Sequence, residues 1–342
     1  MIREIVIVCV ALTMVLCHAQ DEDNSTLLEE RQVPGDNPCN CYFKDSCGCI
    51  CSRPISWAQF QILPQNFQPC RSFTLALRGG QFHSFPADYF YRVGHVQDFV
   101  LDVGSVSFQY LNDPDGESSP YNGVTFDVSA YLRMYQVSIS RRWNWGAMYW
   151  LAPTSGNAFC EIQVVQSTVP LLSVDFGRIC QGMVTVVNII SSGLYALENR
   201  VFVPFTKLTE LDLSNNRIQD MRRSYFSYPA RELQIINLSN NNIRSLPPDM
   251  FTQMPSLQNV NLRGNPINNL DERTFRPIFR TVQIVGLETL PLSCDCNARW
   301  LKEPAQLCGA NVYGLAEAIC NRPSRFKGYS FFNDTLPKDL VC

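Results

Sequence analysis

Apolar and polar residues alternate in short runs that recur along this chain at a near-constant interval. LTELDLSNNRI, LQIINLSNNNI and LQNVNLRGNPI begin at Leu208, Leu233 and Leu257, 25 and 24 residues apart, and each reads L-x-x-L-x-L-x-x-N-x-I. Successive side chains on a strand point to opposite sides, so Leu211 and Leu213 face one way while Glu210, Asp212 and Ser214 face the other. A phenylalanine follows eighteen residues after the residue that opens each run: Val184 with Phe202, Leu208 with Phe226, Leu233 with Phe251, Leu257 with Phe275, and in weaker form Ser72 with Phe90. Each unit therefore predicts a short strand, a turn at an asparagine and an aromatic residue returning to the core from the other side.

In period and in residue identity at fixed positions, these units match leucine-rich repeats. The fold expected is an α/β-type solenoid, with a curved parallel sheet on its concave face and a mostly irregular or short-helical convex side. One coil cannot bury its leucines alone, whereas stacked coils share a continuous core. Asn216, Asn241 and Asn265 would satisfy backbone groups at the turn leaving each strand. Carried outward, the register finds weaker copies. Val184, Val187 and Ile189 have Ser192 in the asparagine place; Val282, Val285 and Leu287 have Leu290 there. Upstream come Phe159, Ile162 and Val164, then Met134, Val137 and Ile139, then Val96, Phe99 and Leu101, and finally Leu75 with Leu77. That makes nine coils over 71–290. The step from 96 to 134 exceeds one period by about half, and the polar stretch 112–123, NDPDGESSPYNG, reads as an insertion loop.

The N-terminal run IVIVCVALTMVLCHA, after Arg3 and ending at Ala19, reads as a secretory signal peptide over 1–19, followed by a disordered leader over 20–38. A retained signal anchor is the alternative. No later run has the length to span a membrane, so the mature protein is expected to be secreted and extracellular. Export changes how the 15 cysteines read, because disulfides persist in oxidising compartments. Cys39, Cys41, Cys47, Cys49, Cys51 and Cys70 mark a cap over 39–70, with pairing left open. Thiolates spaced two apart also suit zinc, but secretion favours disulfides. Cys160 and Cys180 stand mid-chain and are counted with the disulfide cysteines.

PLSCDCNARWL, Cys320 followed by Pro323, and the final Cys342 resemble the C-terminal flanking cap of extracellular leucine-rich-repeat proteins. The resemblance implies a cap over 291–342 with Cys294 bonded to Cys320, Cys296 bonded to Cys342, and Trp300 packed beneath. Cys308 departs from that four-cysteine pattern, and thirteen cysteines after signal removal leave one odd thiol.

Catalytic signatures are missing. Only His83 and His95 remain after signal removal, there is no phosphate loop or dinucleotide fingerprint, and no cofactor is implied. Asp113, Asp115 and Glu117 in DPDGE read as a solvated turn in preference to a calcium loop. With 28 basic and 31 acidic residues, the net charge of −3 argues against a nucleic-acid partner. Sequons at Asn24, Asn237 and Asn333 predict N-linked sugar, with Asn237 facing outward from the sheet. The segment RRWNWGAMYW gathers Arg141, Arg142, Trp143, Trp145, Tyr149 and Trp150, residue types that dominate binding hot spots, so it is a candidate contact patch. Core filling is the other reading of its tryptophans.

The PCNC leader, weak early coils, regular late coils and C-terminal cap together are similar to secreted arthropod proteins related to the non-catalytic subunit of oplophorus-luciferin 2-monooxygenase. That resemblance implies a non-catalytic partner of a small secreted luciferase. The residues themselves imply a broader class, an extracellular module that binds a protein partner and is not an enzyme.

Overall fold

Nine parallel strands stack along the chain in the computed structural model, which describes residues 38–63, 70–114, 118–279, 281–302 and 318–330. All the described residues lie within one compact unit, Asn37–Cys342. The strands are Ser72–Phe82, His95–Tyr110, Thr125–Tyr135, Phe159–Val165, Val184–Ile190, Glu210–Asp212, Ile235–Asn237, Asn259–Asn261 and Gln283–Val285, one per coil. Leu75, Leu101, Leu132, Ile162, Val187, Leu211, Ile236, Val260 and Ile284 occupy one row across the sheet, each paired with the next. All nine are buried. Burial of one such row by its neighbours is what makes the coils interdependent. Opposite the sheet, Phe90, Phe202, Phe226, Phe251 and Phe275 close the same core, with Phe202 and Phe226 centroids 5.6 Å apart.

In the second and ninth coils Leu101 and Ile284 stand in this row where Phe99 and Val285 were expected, and the third coil departs further from the expected register. Its sheet strand is Thr125–Tyr135, with Ala130 and Leu132 beside Phe99 and Leu101, and not the run through Met134, Val137 and Ile139. Leu101 to Leu132 is 31 residues and Leu132 to Ile162 is 30, so two long coils replace one oversized coil. Two physical causes produced the misreading. Ala130 carries little apolar signal, and the bulk of Phe99 beside it fills the space a larger residue would take. Val137 and Ile139 are inward-facing as well, but they flank a second strip. The early strands turn a corner, and Ser107 and Phe108 pair there with Ser138 and Ile139. Nor is 112–123 simply an external loop. Asn112 is fully buried and exchanges hydrogen bonds with Asn144, including Asn112 N–H to Asn144 Oδ1 at 2.9 Å. Tyr121 is fully buried and stacks on Phe90 at 5.2 Å.

Buried asparagines join the late coils. Asn216 Oδ1 accepts from Ser192 N–H and Leu194 N–H at 3.0 Å each, while its Nδ2 donates to the carbonyls of Ile189, Leu213 and Ser214. Asn241 and Asn265 repeat the arrangement one and two coils on. In the earlier coils Ser167 and Ser192 do a smaller version, Ser167 Oγ accepting from Val137 N–H at 2.9 Å and Ser192 Oγ from Ser167 N–H at 3.2 Å.

A second column shows the same division between early and late coils. Four residues past the buried row, the backbone enters the left-handed region at Gly79, Ser105, Gln136, Gln166, Ser191, Asn215, Asn240 and Gly264, with φ between 50° and 78°. Glycine and asparagine tolerate that conformation, and serine and glutamine less so. Replacing Gln166, at φ 50°, with asparagine is therefore expected to raise stability by about 0.5–1 kcal/mol, as read by chemical denaturation. No gain would show that the bond from Gln136 Nε2 to Gln166 Oε1, 3.3 Å, outweighs the backbone term.

Disulfides lie at both ends and in the fourth coil. In the N-terminal hairpin, Cys39–Cys51 and Cys41–Cys49 join directly opposed residues, and Cys47 reaches Cys70. All six thiols are so consumed. The strand Ser46–Cys51 then extends the parallel sheet by pairing with Ser72–Leu77. Cys160 is bonded to Cys180. Toward the C-terminus Cys294 is bonded to Cys320, and Cys296 is also in a disulfide. Trp300 is buried, donates from Nε1 to Leu270 O at 3.0 Å and meets Phe279 edge-on at 5.2 Å. The expected signal peptide, Asn24, Cys308, Asn333 and Cys342 lie outside the described residues, as do Asp115 and Glu117.

Candidate functional site

The aromatic segment divides in two. Trp145 is fully buried and Trp143 nearly so, stacked at 4.8 Å, with Trp145 meeting Phe176 edge-on at 5.2 Å. Trp143 Nε1 donates to Thr168 O at 2.7 Å, whereas Trp145 Nε1 is buried without a partner. These two indoles fill the core where the long third coil packs on the fourth, which removes them from the candidate contact patch. Trp150 and Tyr149 are 54% and 38% exposed, and Arg178 lies 5.5 Å from the Tyr149 ring. Arg141 and Arg142 are exposed, Arg141 at 5.9 Å from the Tyr110 ring. The helical turn Trp145–Trp150 thus sends one end inward and the other to solvent.

The outward face of the sheet presents a different surface. Adjacent in register across five strands stand Tyr131, Glu161, Val186, Glu210 and Ile235, and the neighbouring row runs Arg133, Gln163, Asn188, Asp212 and Asn237. Tyr131 meets Phe159 edge-on at 5.9 Å and carries Arg133 over its ring at 4.7 Å. Neighbouring strands are about 4.8 Å apart, so Glu161 and Glu210 are separated by about 10 Å across Val186. Both glutamates are half-buried, and neither has a hydrogen bond or ion pair among the described residues. Burial raises the Glu161 carboxyl above its ordinary value, with Arg133 pulling the other way. Burial also raises Glu210, reinforced by the charges of Asp212 and Glu161. Elsewhere on the face Arg78 clasps Asp102 through two bonds of 2.9 Å.

Asn237 does face outward beside Asp212, but its side chain is engaged. Nδ2 donates to Asp212 Oδ2 at 2.8 Å, and Oδ1 accepts from Ser239 N–H at 3.1 Å. Asp212 and Asn261 make the same backbone bond in their coils, to Ser214 and Arg263. A glycan on Asn237 Nδ2 would displace the bond to Asp212. Of the histidines, His83 contacts Ser84 Oγ at 3.2 Å. His95 has more polar company than its sequence surroundings suggest: Nδ1 lies 2.9 Å from Thr125 Oγ1 and Nε2 3.2 Å from Asp127 Oδ2. A hydrogen bond from Thr154, followed by the nearby His95, holds the Asp127 carboxyl below its ordinary value. The pair is exposed on both sides, and such surface pairs contribute little.

A family model described as Leucine rich repeat matches residues 185–275. Mouse Toll-like receptor 9 is 29% identical over 136 residues, 40% of this chain and 13% of that receptor. Mouse leucine-rich repeats and immunoglobulin-like domains protein 3 is 38% identical over 79 residues, 23% of this chain and 7% of that protein. The chain thus spans a small fraction of these curated relatives. The crystal structure of human 5T4, the trophoblast glycoprotein, superposes with a TM-score of 0.52 at 16% identity, covering 90% of this chain and 99% of that one. That likeness concerns the fold. With the match over 185–275 and the stacked coils, this chain has the leucine-rich-repeat fold, with disulfides toward both ends.

Proposed function

We propose that this protein is an extracellular, non-catalytic module that binds a protein partner on the sheet face of its third to seventh coils. The observation that carries the reading is the row from Tyr131 to Ile235, where aromatic, aliphatic and half-buried acidic side chains share the outward face of the sheet. Such a surface offers apolar area and polar groups without the enclosing concavity that chemistry on a small substrate needs. The disulfides support an oxidising, exported setting. Among the described residues no helix is long and apolar enough to cross a membrane.

Tyr149 and Trp150 support a second surface, because they stay exposed while the rest of their segment is core. Affinity capture from the protein's own source fluid separates the two. Val186→Trp, which plants an indole in the middle of the row, is expected to abolish capture, and Tyr149→Ala with Trp150→Ala to leave it unchanged. The reverse pattern moves the contact to the aromatic turn. Recovery of a small oxygenase in the wild-type capture would select the luciferase-subunit reading, and a catalytic turnover by the isolated chain would overturn the non-catalytic one.

A further inference from the structure

Two half-buried carboxylates without partners are an unfavourable thing to place on a sheet. Taking a charge out of water costs free energy unless a counter-charge compensates. The fold gives Asp102 its counter-charge in Arg78 and gives Asp212 hydrogen bonds from Ser214 N–H and Asn237 Nδ2. Neither Glu161 nor Glu210 has a hydrogen bond or an ion pair among the described residues. Arg133 lies near Glu161, but its guanidinium sits over the Tyr131 ring. Between the two strands, Asn188 Oδ1 is buried with no hydrogen-bond partner, one more acceptor in want of a donor.

Their placement defines a seat. Glu161 and Glu210 flank Val186, with Tyr131 closing the row on one side and Ile235 on the other. A cationic head entering between carboxylates about 10 Å apart can approach both, while its aliphatic stem lies on Val186. Tyr131 and Ile235 then offer apolar ground to residues on either side of the cation.

We propose that this seat takes a lysine or arginine of the partner protein, flanked there by aliphatic or aromatic residues. The inference rests on the sheet-face reading above and adds the chemistry of the partner to it. The partner's cation supplies the direct ion pair that the fold does not make, so charge complementarity is completed only in the complex. A consequence distinguishes this site from ordinary structural acids. A raised carboxyl pKa means that the folded state holds the proton more tightly than the unfolded chain. Stability then falls as pH rises from the ordinary glutamate range through the raised one, and stays lower above it. At neutral pH, with Arg133, Asp212 and the two glutamates as the facing charges, glutamine at positions 161 and 210 should stabilise the fold while weakening binding.

The test pans the full exported chain against a phage-displayed library of random twelve-residue peptides. Expected are enriched peptides with lysine or arginine next to apolar residues. Their binding should fall at least tenfold on Glu161→Gln with Glu210→Gln and weaken as salt is raised, while the variant's Tm rises by about 1–3 °C. The higher Tm excludes unfolding as the cause of lost binding. An enriched pool no richer in lysine and arginine than the input, or one that binds the double variant undiminished, overturns the proposal. If that undiminished binding is nonetheless abolished by Val186→Trp, the sheet-face reading stands and only the cation is refuted. Insensitivity to all three substitutions refutes both.

Discussion

Replacing Asn216 with alanine is expected to destabilise the protein by about 3 kcal/mol, because two buried N–H groups and the carbonyls opposite lose their partners together. The N–H groups are those of Ser192 and Leu194, which donate to Oδ1; the carbonyls of Ile189, Leu213 and Ser214 accept from Nδ2. Asn241→Ala should cost less, since its Oδ1 accepts from Ile218 N–H alone. The loss should be local in its first appearance. Stability in stacked coils is a sum of nearest-neighbour terms, so hydrogen exchange should accelerate in the fifth and sixth coils before the ends respond. Equilibrium denaturation measures the size and exchange mass spectrometry the location. Equal costs for the two asparagines would mean that the extra N–H of the fifth coil finds water.

A second large effect is expected inside the segment that looked like a contact patch. Trp145→Ala should cost about 3–5 kcal/mol, the usual range for emptying a buried aromatic site. It would remove the stack with Trp143 and the edge contact with Phe176 in one step. Trp150→Ala should stay within about 0.5 kcal/mol, as exposed substitutions do. Trp145→Phe should fall well below the alanine value, because it keeps much of the packing and removes an N–H that has no partner. Thermal unfolding of the three variants decides it. A large cost for Trp150→Ala would place that indole in the core and undo its candidacy for binding.

The contrast between Trp145 and Trp150 illustrates where sequence reading stops. Both are tryptophans of one six-residue turn, and composition marks them equally. Which one is buried depends on the room left between the third and fourth coils, a property of two lengths that the linear pattern had misassigned. The misassignment itself came from Ala130, whose buried place two residues before Leu132 is held by its neighbour Phe99 and not by its own hydrophobicity. Likewise Ser105, Gln136, Gln166 and Ser191 give no hint of the left-handed backbone they adopt, while Asn215, Asn240 and Gly264 in the same column do. The row bearing Glu161, Val186 and Glu210 was within reach of the register, since their spacings follow the repeat. Their lack of a direct ion pair or hydrogen bond was not, because it depends on where Arg133 and Asn237 direct their side chains.

By itself, then, the amino-acid pattern determined the repeating coil, its parallel sheet and the buried row through Ile162, Val187, Leu211, Ile236 and Val260. A period of 24 or 25 residues with alternating apolar positions can bury its core in few other ways. Its asparagines announced the late turns for the same reason, that a buried backbone group must have a partner. Tertiary structure alone decided the length of the second and third coils, the pairing of the N-terminal cysteines through hairpin register, and the division of the aromatic segment between core and solvent. It also left two glutamates unpaired on the sheet face. Those outcomes depend on contacts between coils, where the fate of a side chain is set by the space and charge that its neighbours leave.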